Sequence, residues 1–353
     1  MRRPSRSAGS SLRIARALAG AAALVFIGST AAAAPQPSAI EVLQKAVAAD
    51  DSVSYSGTMT TVVYGRDRVD STVVRLDHSA PSAWRIWYVA PVDAYGRLII
   101  SNEKLTYQYE ASTNTVFSDE WSASAPPLAE SIDAARVEHN YRIEAGPSTT
   151  VAGRAAHGIS LTSKYSGVLV GRLWVDDQTD LILRRESYHA DGSIASKSSF
   201  DNVRVVKSLP KELFDLSIPQ GMRLVPGATF GKTATDDASL ASSLPFAIVR
   251  PESLPNGFTL DHDSVSLHDG VQTLQIVYDD GLRDFSLFEN ATARLPTFEG
   301  VTPKKMDVGG TDAYAADFGG ETLVTWNAGK LNLTLVGDLT AKELAAIGAS
   351  IKQ

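Results

Sequence analysis

Residues 168–207 read VLVGRLWVDDQTDLILRRESYHADGSIASKSSFDNVRVVK, and this stretch decides the fold. Runs over Val168–Val175, Leu181–Tyr188 and Ile194–Phe200 are rich in β-branched and aromatic residues, and turn-forming clusters, Asp176-Asp177-Gln178-Thr179 and Asp191-Gly192, separate them. Strands joined this tightly are antiparallel neighbours, because a parallel return needs a crossover of a dozen or more residues. The same punctuation continues upstream, through Ser52–Tyr64, Val69–Leu76, Ala83–Ala90, Arg97–Ser101, Lys104–Glu110, Thr115–Ser118, Tyr141–Glu144 and Ser148–Lys164, and downstream through Val203–Lys207. The spacing is that of an antiparallel meander.

Helical periodicity opens the chain before the meander and interrupts it once. Ile40, Leu43, Ala46 and Val47 fall on one side of Ser38–Ala49, and Leu128, Ile132 and Val137 fall roughly on one side of Pro126–Val137. Leu213–Met222 (LFDLSIPQGM) is a short docking piece ended by Pro and Gly. From 226 to 243 the composition turns small and polar, as in a flexible linker. Beyond it the chain predicts strands near Val271–Tyr278, Arg283–Phe288, Met306–Val308, Thr311–Phe318, Glu321–Asn327 and Lys330–Val336. A closing helix over Thr340–Ile351 is signalled by Thr340 and Glu343, three residues apart as in a capping box. The fold class expected is α+β, predominantly antiparallel β, in two domains at 34–225 and 244–353 joined by the 226–243 linker.

Residues 1–33 read as an export address. Five arginines and no acid occur there, followed by an apolar stretch, Ala17–Gly28, and small residues through Ala34. Cleavage after Ala33 avoids a proline directly after the scissile bond; an uncleaved N-terminal anchor is the alternative, opposed by the shortness of the apolar run. Without this segment 28 basic side chains face 40 acidic ones, a balance of −12 against −7 for the whole chain. An acidic body argues against a general nucleic-acid binder, while leaving room for a local basic patch. Cysteine is absent, which removes disulfides, thiol nucleophiles and cysteine lipidation together.

Catalytic patterns are missing: there is no G-x-S-x-G, no G-x-x-x-x-G-K-[ST], no G-x-G-x-x-G and no H-E-x-x-H. Of the histidines, only His262 and His268 lie close together, in DHDSVSLHDG. On one strand they would stand about 20 Å apart, too far to share a metal. No catalytic residue, metal or cofactor is therefore expected. Aromatic weight in the first domain is the stronger signal. Alternation puts Trp84, Ile86 and Tyr88 on one face of their strand and Arg85, Trp87 and Val89 on the other, and puts Leu105, Tyr107 and Tyr109 together on the next hairpin. An apolar concave face of this size needs cover from its own helices or from a lipid or peptide ligand, and two short helices are thin cover. Tyr55, Trp84, Ile86, Tyr88, Leu105, Tyr107, Tyr109 and Trp174 are the candidate lining of such a cavity.

The order of helix, meander, helix and hairpins, with Trp174-Val175-Asp176, Leu183-Arg184-Arg185-Glu186, Asp191-Gly192, Phe200-Asp201-Asn202-Val203 and the Phe214 to Pro219-x-Gly221 close, resembles the lipoprotein-localisation (LolA/LolB-like) half-barrel with covering helices. With LPFAIVRPESLPNGFTL at 244–260, YDDGLRDFSLFE at 278–289 and LTLVGDLTAKELAAIGASI at 333–351, nearly the whole mature chain is similar to the two-domain MucB/RseB family of sigma-E regulators. That resemblance implies a periplasmic protein that binds the periplasmic part of a single-span anti-sigma factor and shields it from proteolysis. It further implies a sensor of lipid, lipopolysaccharide or a lipoprotein acyl chain. The cavity would lie in the first domain, most of the partner contact in the second, and self-association into a homo-oligomer is compatible with it. The alternative function is a periplasmic lipid or lipoprotein carrier.

Overall fold

The computed structural model describes residues 37–65, 69–102, 105–120, 132–216, 221–226, 229–231, 240–242, 244–268, 271–296, 298, 301–318 and 321–352. The expected export signal and its cleavage site lie outside the described residues, as does most of the expected 226–243 linker. The first helix, α1 (Ala39–Ala49), opens on a complete capping box: Ser38 Oγ accepts from Glu41 N, and Glu41 Oε2 accepts from Ser38 N at 2.7 Å. Val42, Leu43, Ala46 and Ala49 are its buried stripe.

Strands β1 (Ser54–Tyr64), β2 (Val69–Ser79), β3 (Ala83–Ala90), β4 (Leu98–Ser101), β5 (Leu105–Glu110) and β6 (Thr115–Glu120) follow as successive hairpins. After α2 (Ala134–Asn140) come β7 (Tyr141–Val151), β8 (Arg154–Ser163), β9 (Leu169–Asp176), β10 (Ile182–Tyr188) and β11 (Ile194–Val206), and β12 (Arg223–Pro226) then runs parallel to β6. The twelve strands form one sheet in the order β12-β6-β5-β4-β3-β2-β1-β11-β10-β9-β8-β7. The two meanders are therefore stitched together by β1 against β11.

Three local departures from the sequence reading have physical causes. The second helix begins at Ala134 rather than near Pro126, because Asp133 caps it by accepting from Ala135 N and Arg136 N; residues 121–131 lie outside the described set. The expected Ser148–Lys164 run is broken by Ala152 and Gly153, at φ 52° and 77°, the two left-handed residues that a tight hairpin turn requires. Ile194–Phe200 and Val203–Lys207 are one strand, interrupted only by a bulge at Asp201.

The second sheet has eight strands in the order β13-β14-β15-β16-β20-β19-β18-β17, all antiparallel. They are β13 (Thr229–Gly231), β14 (Thr259–His268), β15 (Val271–Asp279), β16 (Asp284–Asn290), β17 (Lys304–Val308), β18 (Thr311–Phe318), β19 (Glu321–Ala328) and β20 (Leu331–Gly337). Helix α3 (Ala341–Ala349) carries the Thr340–Glu343 capping box in full. Within the expected linker, Thr229–Gly231 pairs with β14 and Leu240 is buried in this sheet's core, so the segment contributes structure at both ends. The fold is thus α+β and predominantly antiparallel. Among the described residues no helix is long and apolar enough to cross a membrane.

The β15–β16 turn ties the second sheet to the first. Its Asp280 is buried, accepting from Leu282 N, from Arg283 N, Nε and Nη2, and from Tyr141 Oη at 2.5 Å. Asn140 Nδ2 donates to Gly257 O and Asp280 O, Asp133 N donates to Gly281 O, and Arg136 pairs with Asp279. At Gly281, φ 93°, a side chain would meet the Arg136 backbone carbonyl carbon at 2.9 Å and Val137 N at 2.7 Å, so the turn approaches α2 as closely as only glycine permits. Leu282, next to it, belongs to the hydrophobic core of the first sheet.

A second buried acid lies in the core of the eight-stranded sheet. Leu274, Glu289, Leu333 and Trp326 oppose one another across β15, β16, β20 and β19. Glu289 Oε2 accepts from Val249 N at 3.2 Å, and Oε1 is buried without a partner. Burial pushes its carboxyl up from 4.5 to about 7, against the weaker pull of Val249 N–H and Arg250. A carboxyl whose folded pKa is raised supports the fold below its unfolded pKa and loses that support as pH rises towards the folded value.

Two predictions result. Leu282→Ala is expected to cost about 2–5 kcal/mol and to split urea unfolding, followed by tryptophan fluorescence, into two transitions; one unsplit transition at the wild-type midpoint would rule out this turn as the tie. Between pH 4.5 and about 7, wild type should lose stability relative to Glu289→Gln by on the order of 3 kcal/mol. Parallel pH–stability curves for the two proteins would contradict a protonated Glu289.

Candidate functional site

Pairing register determines which side chains share a face, since directly opposed residues of antiparallel strands project to the same side. Tyr55, His78, Trp84 and Ser101 form one row across β1, β2, β3 and β4. Gly57, Leu76, Ile86 and Ile99 form the next row on that side, and Met59, Val74 and Tyr88 the third. This inner face shares its core with the buried stripe of α1.

The first row is closed. His78 stacks on Trp84 with ring centroids 3.6 Å apart, and Tyr55 meets Trp84 and Phe200 edge-on at 5.9 and 5.6 Å. Gly57 makes room for Phe200: a Cβ there would stand 3.1 Å from the ring and 2.5 Å from Asn202 O. His78 is fully buried, its Nε2 2.7 Å from Asp50 O at the end of α1 and its Nδ1 3.2 Å from Ala83 O. Burial lowers the His78 pKa against the opposing effect of those two carbonyls. Asp50 itself is pushed up to about 7, by burial first and by the neighbouring Asp51 charge second. This end is therefore a packed aromatic core pinned to the helix terminus.

Further along the same face the cover thins. Ile86, Tyr88 and Ile99 are half-buried. Arg97 lies over the Tyr88 ring, 5.5 Å from its centroid, and bonds Glu110 at 2.9 Å. The inner face thus grades from sealed core at Tyr55 and Trp84 to accessible apolar surface at Ile86 and Tyr88, bounded by an ion pair.

The eight candidate residues are not gathered on one face. Trp87 opposes Leu98, which opposes Tyr109, and Arg85 opposes Ile100, which opposes Tyr107. Leu105, Tyr107 and Tyr109 consequently project from the side opposite Trp84, Ile86 and Tyr88. Trp174 opposes Arg184, which opposes Ser199 and through it Thr60, so it too lies opposite Met59 and its row. Its Nε1 donates to Pro147 O at 3.0 Å and Arg184 lies over its ring, which makes it part of the packing of β7 and β9. Alternation within a strand could not reveal this, because the phase between strands is set by register. His78, Val74 and Phe200, absent from the candidate set, belong to the inner face; the even spacing of Val74, Leu76 and His78 was the signal for the first two, while Phe200 joins them only through its register opposite Met59.

Acidic pairs have structural employment. Asp176 holds Arg154 through two bonds at 2.9 and 2.7 Å and accepts from Thr179 Oγ1 at 2.5 Å, while Asp177 pairs with His157. His262 and His268 lie on one strand, β14, and no group of three or more potential metal ligands occurs among the described residues.

Among solved structures, a crystal structure of MucB in complex with MucA(peri) matches with a TM-score of 0.59 at 17% identity, covering 89% of this chain and 98% of that one. The complex of Pseudomonas aeruginosa MucA/MucB matches with a TM-score of 0.60 at 16% identity and the same coverage, and MucB alone with 0.56 at 16% identity, covering 89% and 97%. At these identities the likeness establishes the fold, and its extent takes in both sheets. No curated protein matches the chain in sequence. The MucB/RseB N-terminal domain family matches residues 38–218, from the cap of α1 to beyond the buried Phe214, and by that match over half its length the chain belongs to the MucB/RseB family.

Proposed function

We propose that this protein is a periplasmic negative regulator of an extracytoplasmic-function (sigma-E type) stress response. It binds the periplasmic part of an anti-sigma factor, protects it from proteolysis, and lets go when a lipid or mislocalised lipoprotein occupies the inner face of the first sheet. The observation that carries this reading is the extent of the match to MucB solved together with periplasmic MucA, 89% of this chain against 98% of that one, which supports an equivalent use of both sheets. In this reading 34–225 is the sensing domain, 244–353 supplies most of the partner contact, and 226–243 connects them.

The inner face supports the sensing part. Ile86 and Tyr88 offer half-buried apolar surface continuous with the Tyr55–Trp84 core, so an acyl chain would extend a core that already exists. Burial of each methylene there is worth about 0.8 kcal/mol. Thermodynamic linkage then supplies the switch: a ligand that weakens partner binding must itself be weakened by the partner to the same degree. The same face favours a second reading, a lipid or lipoprotein carrier, which would hold acyl chains without any such partner.

Calorimetric titration of residues 34–353 with the periplasmic segment of the membrane protein encoded at the adjacent locus separates the two. Binding that weakens roughly tenfold when lysophospholipid is added is the expected result; lipid binding with no affinity for the segment would replace the regulator with the carrier. In an Ile86→Asp variant, the partner should bind as in wild type while the lipid effect disappears. Persistence of the full lipid effect in that variant would move the lipid site off the inner face.

A further inference from the structure

The outer face of the first sheet carries positive charge that the described residues around it only partly offset. In register, Arg204, Ser56, Asp77 and Arg85 form one row across β11, β1, β2 and β3, and Asn202, Thr58, Arg75 and Trp87 form the next. Both rows project away from Tyr55 and Trp84. Between them is an open hollow of about 490 Å³ lined by three arginines and one aspartate.

The single carboxylate is already committed. Asp77 accepts from Ser56 Oγ at 2.6 Å and stands 3.6 Å from Arg85 Nη1, and the Arg85 guanidinium lies over the Trp87 ring, 5.5 Å from its centroid. Arg85 is thereby held in place. Arg75 and Arg204 are exposed, and neither forms a hydrogen bond or ion pair with a described residue. Three guanidiniums against one carboxylate leave two positive charges in one hollow, on a chain whose overall charge is −7. Arg75 and Arg204 flank β1 from β2 and β11 and repel each other across it, a repulsion that a bound anion would relieve.

We propose that this hollow binds a phosphate monoester. Such a group carries about −1.5 to −2 at neutral pH, which matches the uncompensated charge, and the planar guanidinium fork is suited to two phosphate oxygens at once. Thr58 and Asn202 add neutral donors to the lining. The row of Arg75 runs on through the half-buried Trp87 and Leu98 to Tyr109, giving an apolar ledge for the organic part of the ligand. The site is on the opposite side of the sheet from the proposed lipid surface and stands or falls independently of it.

The full mature chain is titrated with phenyl phosphate, with inorganic phosphate, and with phosphatidylcholine vesicles containing or lacking phosphatidic acid. Expected is saturable, salt-sensitive binding of phenyl phosphate, tighter than inorganic phosphate. It should weaken roughly tenfold or more in Arg75→Ala/Arg204→Ala and in Thr58→Glu, and be unchanged in Lys330→Ala/Lys342→Ala, which removes the same charge from the β19–β20 turn and from α3. Binding confined to phosphatidic acid vesicles, and lost in the same variants, would assign the phosphate to a lipid headgroup and uphold the site. No saturable binding of any probe, or equal binding by wild type and the Arg75/Arg204 variant, would overturn it.

Discussion

The buried carboxylate of Asp280 is the constraint on which the two-sheet body rests. A charge removed from water is tolerated only when it is paired and fully hydrogen-bonded, and Asp280 meets that demand with Arg283, two backbone amides and the Tyr141 hydroxyl. Three of these donors come from its own turn and shape it; the fourth comes from the first strand after α2. The shape so fixed presents Leu282 to the core of the neighbouring sheet and brings Gly281 against α2. Junctions between sheets are otherwise polar and mobile by default. Here an apolar side chain crosses the boundary, and the polar atoms around it are satisfied, so the first sheet is held at α2 and, through Arg185 donating to Leu282 O, at β10.

The long sheet divides its two faces unequally. Its inner face is packed under α1 at Tyr55, His78 and Trp84 and becomes accessible towards Ile86 and Tyr88. Helix α1, eleven residues long, spans about 16 Å, a fraction of the width of a twelve-stranded sheet at about 4.8 Å per strand, and with α2 it packs on the part of the face nearest Tyr55. The outer face is different in kind: cations beside aromatics, with an aspartate orienting one arginine. The two kinds of surface are separated by no more than the thickness of one sheet.

Much of this was legible in the sequence, for stated reasons. Capping boxes at Ser38–Glu41 and Thr340–Glu343 are local devices, and both helices begin where they indicate. Tight connections such as Asp191-Gly192 declare antiparallel pairing wherever they occur, Gly192 having φ 83°. What resisted reading was long-range. Alternation grouped Leu105, Tyr107 and Tyr109 correctly with one another, yet their relation to Trp84 depends on Leu98 opposing both Trp87 and Tyr109. The Asp280 junction could not be inferred, because Tyr141 lies 139 residues away in sequence. Arg75, Arg85 and Arg204 likewise come from three separate strands, each unremarkable by itself.

The placement of β1 has a temporal meaning as well as a spatial one. Its register partners on β11, such as Ser199 opposite Thr60, are made more than a hundred residues later. As the chain emerges from a ribosome or a translocation pore, β1 to β6 can form their hairpins, but the central seam of the sheet waits for Val206. Loop closure over that span is slow and non-local, and in the interval the inner edge of β1 presents unpaired backbone together with Tyr55 and Met59. An exposed edge of this kind invites pairing with another chain. The architecture that makes one continuous surface of two meanders thus imposes a waiting period on the nascent chain, with the demand for chaperoning concentrated between the synthesis of residue 64 and that of residue 206.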